Sequence, residues 1–203
     1  AVNLAGLNID DIVVASLASS ESCITERQKD LGVALVNIGA ATTSVLVFEE
    51  GDIILVNVLP VGSAHITNDI AIGLRTNIDI ADQIKIQYGS TRSAQSKSND
   101  EVEIRQINEQ EEGTFSRKYL SEIIEARVEE IFNMVDKGLR EINRSGKLPA
   151  GIVLTGGGSK LPGICEVAKR EFRLPSSIGL PTGVDSAIEK INDPAVSTAI
   201  GLV

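Results

Sequence analysis

The spacing of apolar residues changes several times along the chain, and each change predicts an element. Val2–Leu7 reads as a short helix remnant ending near Gly6, and Asp11–Leu17, with its β-branched run Ile12-Val13-Val14, as a strand. Ser19–Leu31 reads as a short helix. Val33–Ile38 mixes continuous apolar sequence with alternation, as a strand covered on at least one face does. Val45–Phe48 and Ile53–Val58 flank the turn Glu49-Glu50-Gly51-Asp52 and predict a hairpin.

After Pro60 the spacing becomes helical. Ile66, Ile70 and Leu74 lie one turn apart, and Ile80, Ala81, Ile84 and Tyr88 repeat the pattern until Gly89 stops it. Gly89–Glu101 is small and polar without periodicity, a surface connector, and Val102–Ile107 reads as a short strand. From Ser116 to Arg144 the apolar residues, Leu120 through Ile142, keep three- and four-residue spacing and predict one long helix with a charged outer face. Ile152–Leu154 returns to a buried strand, and helices are expected over Pro162–Phe172 and Pro194–Leu202. Strands near both ends and helices between them predict an α/β domain, 1–60 plus 150–203, interrupted by a smaller unit, 61–149.

Composition narrows the chemistry. A chain of 203 residues with 42% hydrophobic content can bury a core, whereas a net charge of -9 with only 3% aromatic residues argues against nucleic acid as a partner. Cys23 and Cys165 lie far apart in apolar surroundings, which suits small buried hydrophobes in a reducing cytoplasm rather than a metal site or disulfide framework. His65 is the lone histidine and no Gly-x-Ser-x-Gly elbow occurs, so it reads as structural. No run approaches the roughly 20 apolar residues of a membrane span. The chain starts at Ala1 rather than Met, so a piece of a longer protein is expected.

Two buried strands end in small-residue turns. Val33–Ile38 runs into Gly39-Ala40-Ala41-Thr42-Thr43, and Ile152–Leu154 into Thr155-Gly156-Gly157-Gly158-Ser159. Such turns let backbone N–H groups approach an anion closely, and a following helix adds a partial positive charge. Neither is a Walker loop or a dinucleotide fingerprint. A hairpin follows the first and a helix the second, and this pairing resembles the second phosphate loop and the adenosine loop of the actin, sugar kinase and heat-shock chaperone superfamily. Within it, the segments LGVALVNIGAATTSVLVFEEGDIILVNVLPVGSAHITNDIAIGLRT, IADQIKIQYGS, IIEARVEEIF and IVLTGGGSKLPGI resemble the FtsA family of bacterial cell division in order and spacing over nearly the whole chain. ITNDIAIGLRT and VLTGGGSKLPG carry the specificity, and ITNDIAIGLRT separates the reading from the pilus-assembly family PilM.

The resemblance implies half of an actin-like, ribonuclease H-like α/β ATPase, with subdomain IIA at 1–60 and 150–203 and subdomain IIB at 61–149. It implies ATP or ADP with Mg2+ as cofactor, Gly39, Thr42 and Thr43 in the phosphate loop, Gly156, Gly157, Gly158 and Ser159 in the adenosine loop, and Asp82 with Lys85 at ribose and base. Asn37 stands where the family commonly has an aspartate that orients hydrated magnesium. Ala40, Ala41 and the run Val61-Gly62-Ser63-Ala64 depart from the family's glycines and Gly-Gly-Asp, and Asp82 replaces a Glu, so weak or absent hydrolysis is expected. The implied function is a polymerising adaptor, self-associating and linking FtsZ to the cytoplasmic face of the membrane at the division site. The first phosphate loop and a membrane-targeting helix would lie outside these residues. An FtsZ C-terminal peptide, acidic and apolar, would meet Arg127 and Arg140 on the long helix. A sugar or acetate kinase would need a substrate carboxylate and insertions that the chain does not display.

Overall fold

A computed structural model describes residues 3–6, 8, 9, 11–93, 100–108, 113–182 and 191–203. Its strands are β1 (Val33–Ile38), β2 (Thr43–Glu49), β3 (Asp52–Leu59), β4 (Glu101–Glu103), β5 (Thr114–Ser116), β6 (Gly151–Thr155) and β7 (Ser176–Ile178). Its helices are α1 (Ala15–Cys23), α2 (Glu26–Leu31), α3 (Ser63–Leu74), α4 (Ile78–Tyr88), α5 (Arg117–Glu141), α6 (Ile164–Phe172) and α7 (Ser197–Ile200). Five strands form one sheet in the order β3-β2-β1-β6-β7, and β4 pairs with β5 separately. β1 runs antiparallel to β2 and parallel to β6, with Asn37 opposite Thr155. The small-residue turns that follow β1 and β6 therefore emerge side by side at one end of the sheet, the usual ligand position in open parallel α/β sheets.

Side-chain alternation assigns the two faces. Ala34, Val36, Ile38, Ile152 and Leu154 join a large cluster that continues through Phe132 and Phe172 into Ile66, Ile84 and Leu120. Val33, Leu35, Leu46, Phe48 and Val153 form a smaller cluster with Ile24 on the opposite face. The helix-rich segment thus packs directly on the sheet. The Phe132 and Phe172 rings, 5.0 Å apart, tie α5 to α6. Losing a side chain of that size from a sealed core costs about 3–5 kcal/mol.

Several local expectations change. Asp11–Val14 is not strand, and α1 begins at Ala15, because its small face packs against α7. A Cβ on Gly201 would come within 1.7 Å of the Ala18 carbonyl, so contact rather than β propensity decides this segment. The expected single helix over Ser19–Leu31 is two, broken at Ile24–Thr25, where Thr25 and Gln28 form a reciprocal capping box. The expected strand Val102–Ile107 keeps only Val102 and Glu103 within β4 before a 3-10 turn, Ile104–Gln106. Pro194–Leu202 divides into a 3-10 turn, Pro194–Val196, and α7. Val2, Leu7 and residues 94–99 of the expected connector lie outside the described residues. Within that connector Thr91 is buried and donates its N–H to the Pro162 carbonyl at 2.9 Å.

Candidate functional site

The turn after β6 is shaped by what lies beneath it. Gly156 has φ 82°, and a Cβ there would stand 2.3 Å from Asn37 Oδ1 and 2.6 Å from the Ile38 carbonyl. Only glycine lets the two strand ends lie this close. Ser159 closes the turn by donating its hydroxyl to the Gly156 carbonyl at 2.7 Å. Gly157 differs from both: a Cβ there would meet nothing within 4 Å, so its surface is open.

That open surface faces a cleft of about 550 Å3. Gly157 and Gly158 line it together with Asp82, Lys85 and Gln87 of α4 and with Ala195. Asn77 caps α4 by accepting the Ile80 N–H at 2.9 Å, which fixes the helix on which Asp82 and Lys85 sit three residues apart. Lys85 Nζ donates to Asp82 Oδ1 at 2.7 Å and to Thr67 Oγ1 at 2.6 Å. The Lys85 ammonium holds the Asp82 carboxyl below the usual carboxylate range, with a smaller contribution from the Thr67 hydroxyl. The pair is oriented before any ligand arrives. Lys160, which also lines the cleft, pairs with Asp193 at 2.6 Å, and Asp193, lowered first by Lys160, also accepts the Ala195 N–H.

The turn after β1 is the other part of the site. Gly39 donates its N–H to the Thr42 carbonyl at 2.9 Å, leaving Ala40, Ala41 and Thr42 exposed. The carbonyls of Gly39 and Ala40 accept the N–H groups of Ser63 and Ala64, so the first turn of α3 is saturated by this loop. Gly62 lies so near that a Cβ would stand 2.6 Å from both carbonyls. His65 stays local, its Nδ1 accepting the Gly62 N–H at 3.1 Å.

Ten residues were expected at the cofactor, and the structure sorts them. Asp82, Lys85, Gly157 and Gly158 line one cleft. Gly39 and Thr42 belong to the neighbouring loop, and Gly156 and Ser159 support the turn from within. Thr43 is fully buried and donates its hydroxyl to the Val61 carbonyl at 2.8 Å, so it fastens the loop. Asn37 is turned away: its Nδ2 donates to Ser19 Oγ at 3.1 Å and Thr198 Oγ1 at 3.4 Å. Among the described residues no group of three His, Cys, Asp or Glu could hold a metal. Gln87, Lys160 and Ala195 also line the cleft and were not singled out from sequence: Gln87 and Lys160 lie inside the quoted segments IADQIKIQYGS and VLTGGGSKLPG, whereas no motif marks Ala195.

The two arginines of the expected partner site differ. Arg127 makes a two-pronged contact with Asp69 of α3, at 2.5 and 2.9 Å, and a third with Glu130 at 2.6 Å. Its hydrogen bonds to Asp69 raise its pKa above the ordinary value, so the guanidinium stays charged and ties α5 to α3. Arg140 is 66% exposed and pairs with the buried carboxylate of Asp136 at 2.6 Å. Cys23 and Cys165 are half-buried free thiols, and burial pushes Cys165 up.

A five-stranded mixed sheet with both small-residue turns at one end places the chain among actin-like α/β folds. Solved structures with this fold include MreB5 of Spiroplasma citri bound to ADP, at TM-score 0.74 and 18% identity, covering 98% of this chain and 60% of that one. The PilM-PilN type IV pilus biogenesis complex matches at TM-score 0.71 and 20% identity, covering 98% and 53%. The sequence places it further: a family model described as "Cell division protein FtsA" matches residues 34–201, and the chain belongs to that family. It is 38% identical over 202 residues to cell division protein FtsA of Pseudomonas aeruginosa, covering 100% of this chain and 48% of the relative. The corresponding Bacillus subtilis protein is 34% identical over 202 residues, covering 100% and 44%. The chain thus spans about half the length of the curated relatives it matches. No helix among the described residues is long and apolar enough to cross a membrane.

Proposed function

We propose that this chain supplies the adenosine and second phosphate half-site, together with a partner-binding lobe at 61–149, of a self-associating FtsA-type adaptor that links FtsZ to the cytoplasmic membrane. The observation that carries the nucleotide reading is that the Asp82–Lys85 pair and the open Gly157 surface line the same cleft of about 550 Å3. A paired carboxylate can accept ribose hydroxyls, the lysine stem can lie along a flat base, and a glycine surface admits that base closely. These groups fit a nucleoside phosphate. They supply no metal cage, so magnesium would be held by the nucleotide's own phosphates and by water. Asn37 carries no charge and is bonded away from the cleft, which supports at most weak hydrolysis.

Calorimetric titration of ATP into the protein, extended to the full length of its relatives, tests the reading. Micromolar or tighter binding that Gly157→Val removes is the expected result. Unchanged binding in that variant would overturn it. For the FtsZ peptide, the exposed Arg140 is the better contact, because Arg127 already satisfies two carboxylates inside the lobe.

A further inference from the structure

Strand β3 is a sheet edge with an uncovered face. Among the described residues its only neighbour in the sheet is β2, and Val56 and Val58 are 52% and 54% exposed on the face shared with Leu46. The opposite face is covered, since Leu55 and Asn57 lie against Gly138 of α5. From Ile53 to Leu59 the strand carries no charged side chain, although edges are ordinarily blunted by lysine or inward charge. Two features limit it: a bulge opposite Val47/Phe48 leaves Ile54 unpaired, and Pro60 follows the last strand residue. Between them lie five regular residues, Leu55–Leu59.

We propose that β3 pairs antiparallel with β3 of a second copy of this chain, centred on Asn57. This rests on the self-association reading above and names a surface for it. The register is self-complementary: Val56 meets Val58 of the other copy twice on the open face, and Leu55 meets Leu59 twice on the other. The bulge and Pro60 fall just outside the paired segment. The opposite sheet edge, β7, has three residues and cannot accept this strand along its length. Charge favours the same arrangement in a chain of net charge -9. The acidic turn Glu49-Glu50-Gly51-Asp52 of one copy lies about ten residues along the axis from that of the other, roughly 33 Å, several screening lengths apart. Five residue pairs cover far less than the roughly 1,200 Å2 of a stable complex, so the contact is weak and acts where other contacts already concentrate the protein.

Cysteine cross-linking in the protein extended to its relatives' length tests this register. Directly opposed residues in an antiparallel pair approach to about 4.5–5.5 Å, whereas diagonal ones stand about 7–8 Å apart, beyond a disulfide. Differently tagged Val56→Cys and Val58→Cys proteins, mixed and oxidised, should give a mixed dimer at least about tenfold faster than either alone or the parent with its Cys23 and Cys165. Val56→Lys should raise the Kd of self-association at least about tenfold by sedimentation equilibrium. No excess of mixed dimer, as expected if a foreign peptide or the chain's own remainder covers β3, overturns the proposal. Nucleotide-dependent assembly that persists in Val56→Lys without the cross-link also overturns it, yet leaves self-association through another surface standing.

Discussion

Adjacent glycines in the turn after β6 should respond oppositely to substitution, because one faces the protein and the other the cleft. In Gly156→Ala the new methyl would stand 2.3 Å from Asn37 Oδ1 and 2.6 Å from the Ile38 carbonyl, at a backbone φ of 82°. Left-handed backbone costs a non-glycine residue about 1–2 kcal/mol, and overpacking adds about 1–3 kcal/mol. Gly156→Ala should therefore lose about 2–5 kcal/mol, a large share of a domain's stability. In Gly157→Val the side chain enters open space at an ordinary φ, so stability should stay within about 1 kcal/mol of the parent. Its branched carbons would occupy the wall on which a base would lie. Urea denaturation reads the first effect and ATP calorimetry the second. Equal destabilisation by both variants, or ATP affinity retained in Gly157→Val, would refute the assignment of inner and outer glycines.

Three further outcomes are expected. Arg127→Ala leaves Asp69 without its two-pronged partner and should cost about 2–4 kcal/mol in urea melts, whereas Arg140→Ala combined with Asp136→Asn, which leaves no buried carboxylate without its cation, should melt nearly normally yet weaken an FtsZ C-terminal peptide severalfold at low salt in fluorescence anisotropy. Asp82 is held below its ordinary range, so its stabilisation is complete above the unfolded carboxylate pKa and disappears as pH falls through the lower folded value; the stability gap between parent and Asp82→Asn should be flat from pH 5 to 8 and close below about pH 4. Asn37→Asp should fold, because the Ser19 and Thr198 hydroxyls can turn to donate to a carboxylate, and, held by them outside the cleft, should leave ATP turnover in the protein extended to its relatives' length nearly unchanged; a clear rise in turnover would put this side chain at the metal instead.

What was legible in the sequence was whatever repeats locally. Val33–Ile38, the hairpin around Gly51 and the long helix α5 each carry their own period, and the structure places them at nearly the expected bounds. α1 does not, because Ser16, Ala18, Ser19, Ser20 and Ser22 offer no apolar period; they are buried in a helix that packs against α7, which arrives about 180 residues later in the chain. Strands β5 and β7, three residues each, are too short to show alternation and exist through pairing with β4 and β6.

The same division between local and distant information runs through the site. A glycine run can be read in sequence as a place where a backbone comes close to something, but not as which glycine meets the protein and which the cleft. That depends on Asn37 and Ile38, over a hundred residues away. Charged and hydroxyl side chains are harder still, since their chemistry is decided by partners. Asp82 and Lys85 are oriented by Thr67 and reach the cleft wall, so their spacing on one helix was informative. Arg127 carries the same kind of charge on the same kind of helix face, yet Asp69 lies within hydrogen-bond reach and the arginine becomes a fastening between α3 and α5. Arg140, one helical face further along α5, finds a single buried carboxylate and keeps two-thirds of its surface in solvent. An exposed cation retains donors that another molecule can use, whereas a two-pronged internal pair would have to be broken first. Partner recognition on this helix should therefore follow residual exposure rather than the count of basic residues.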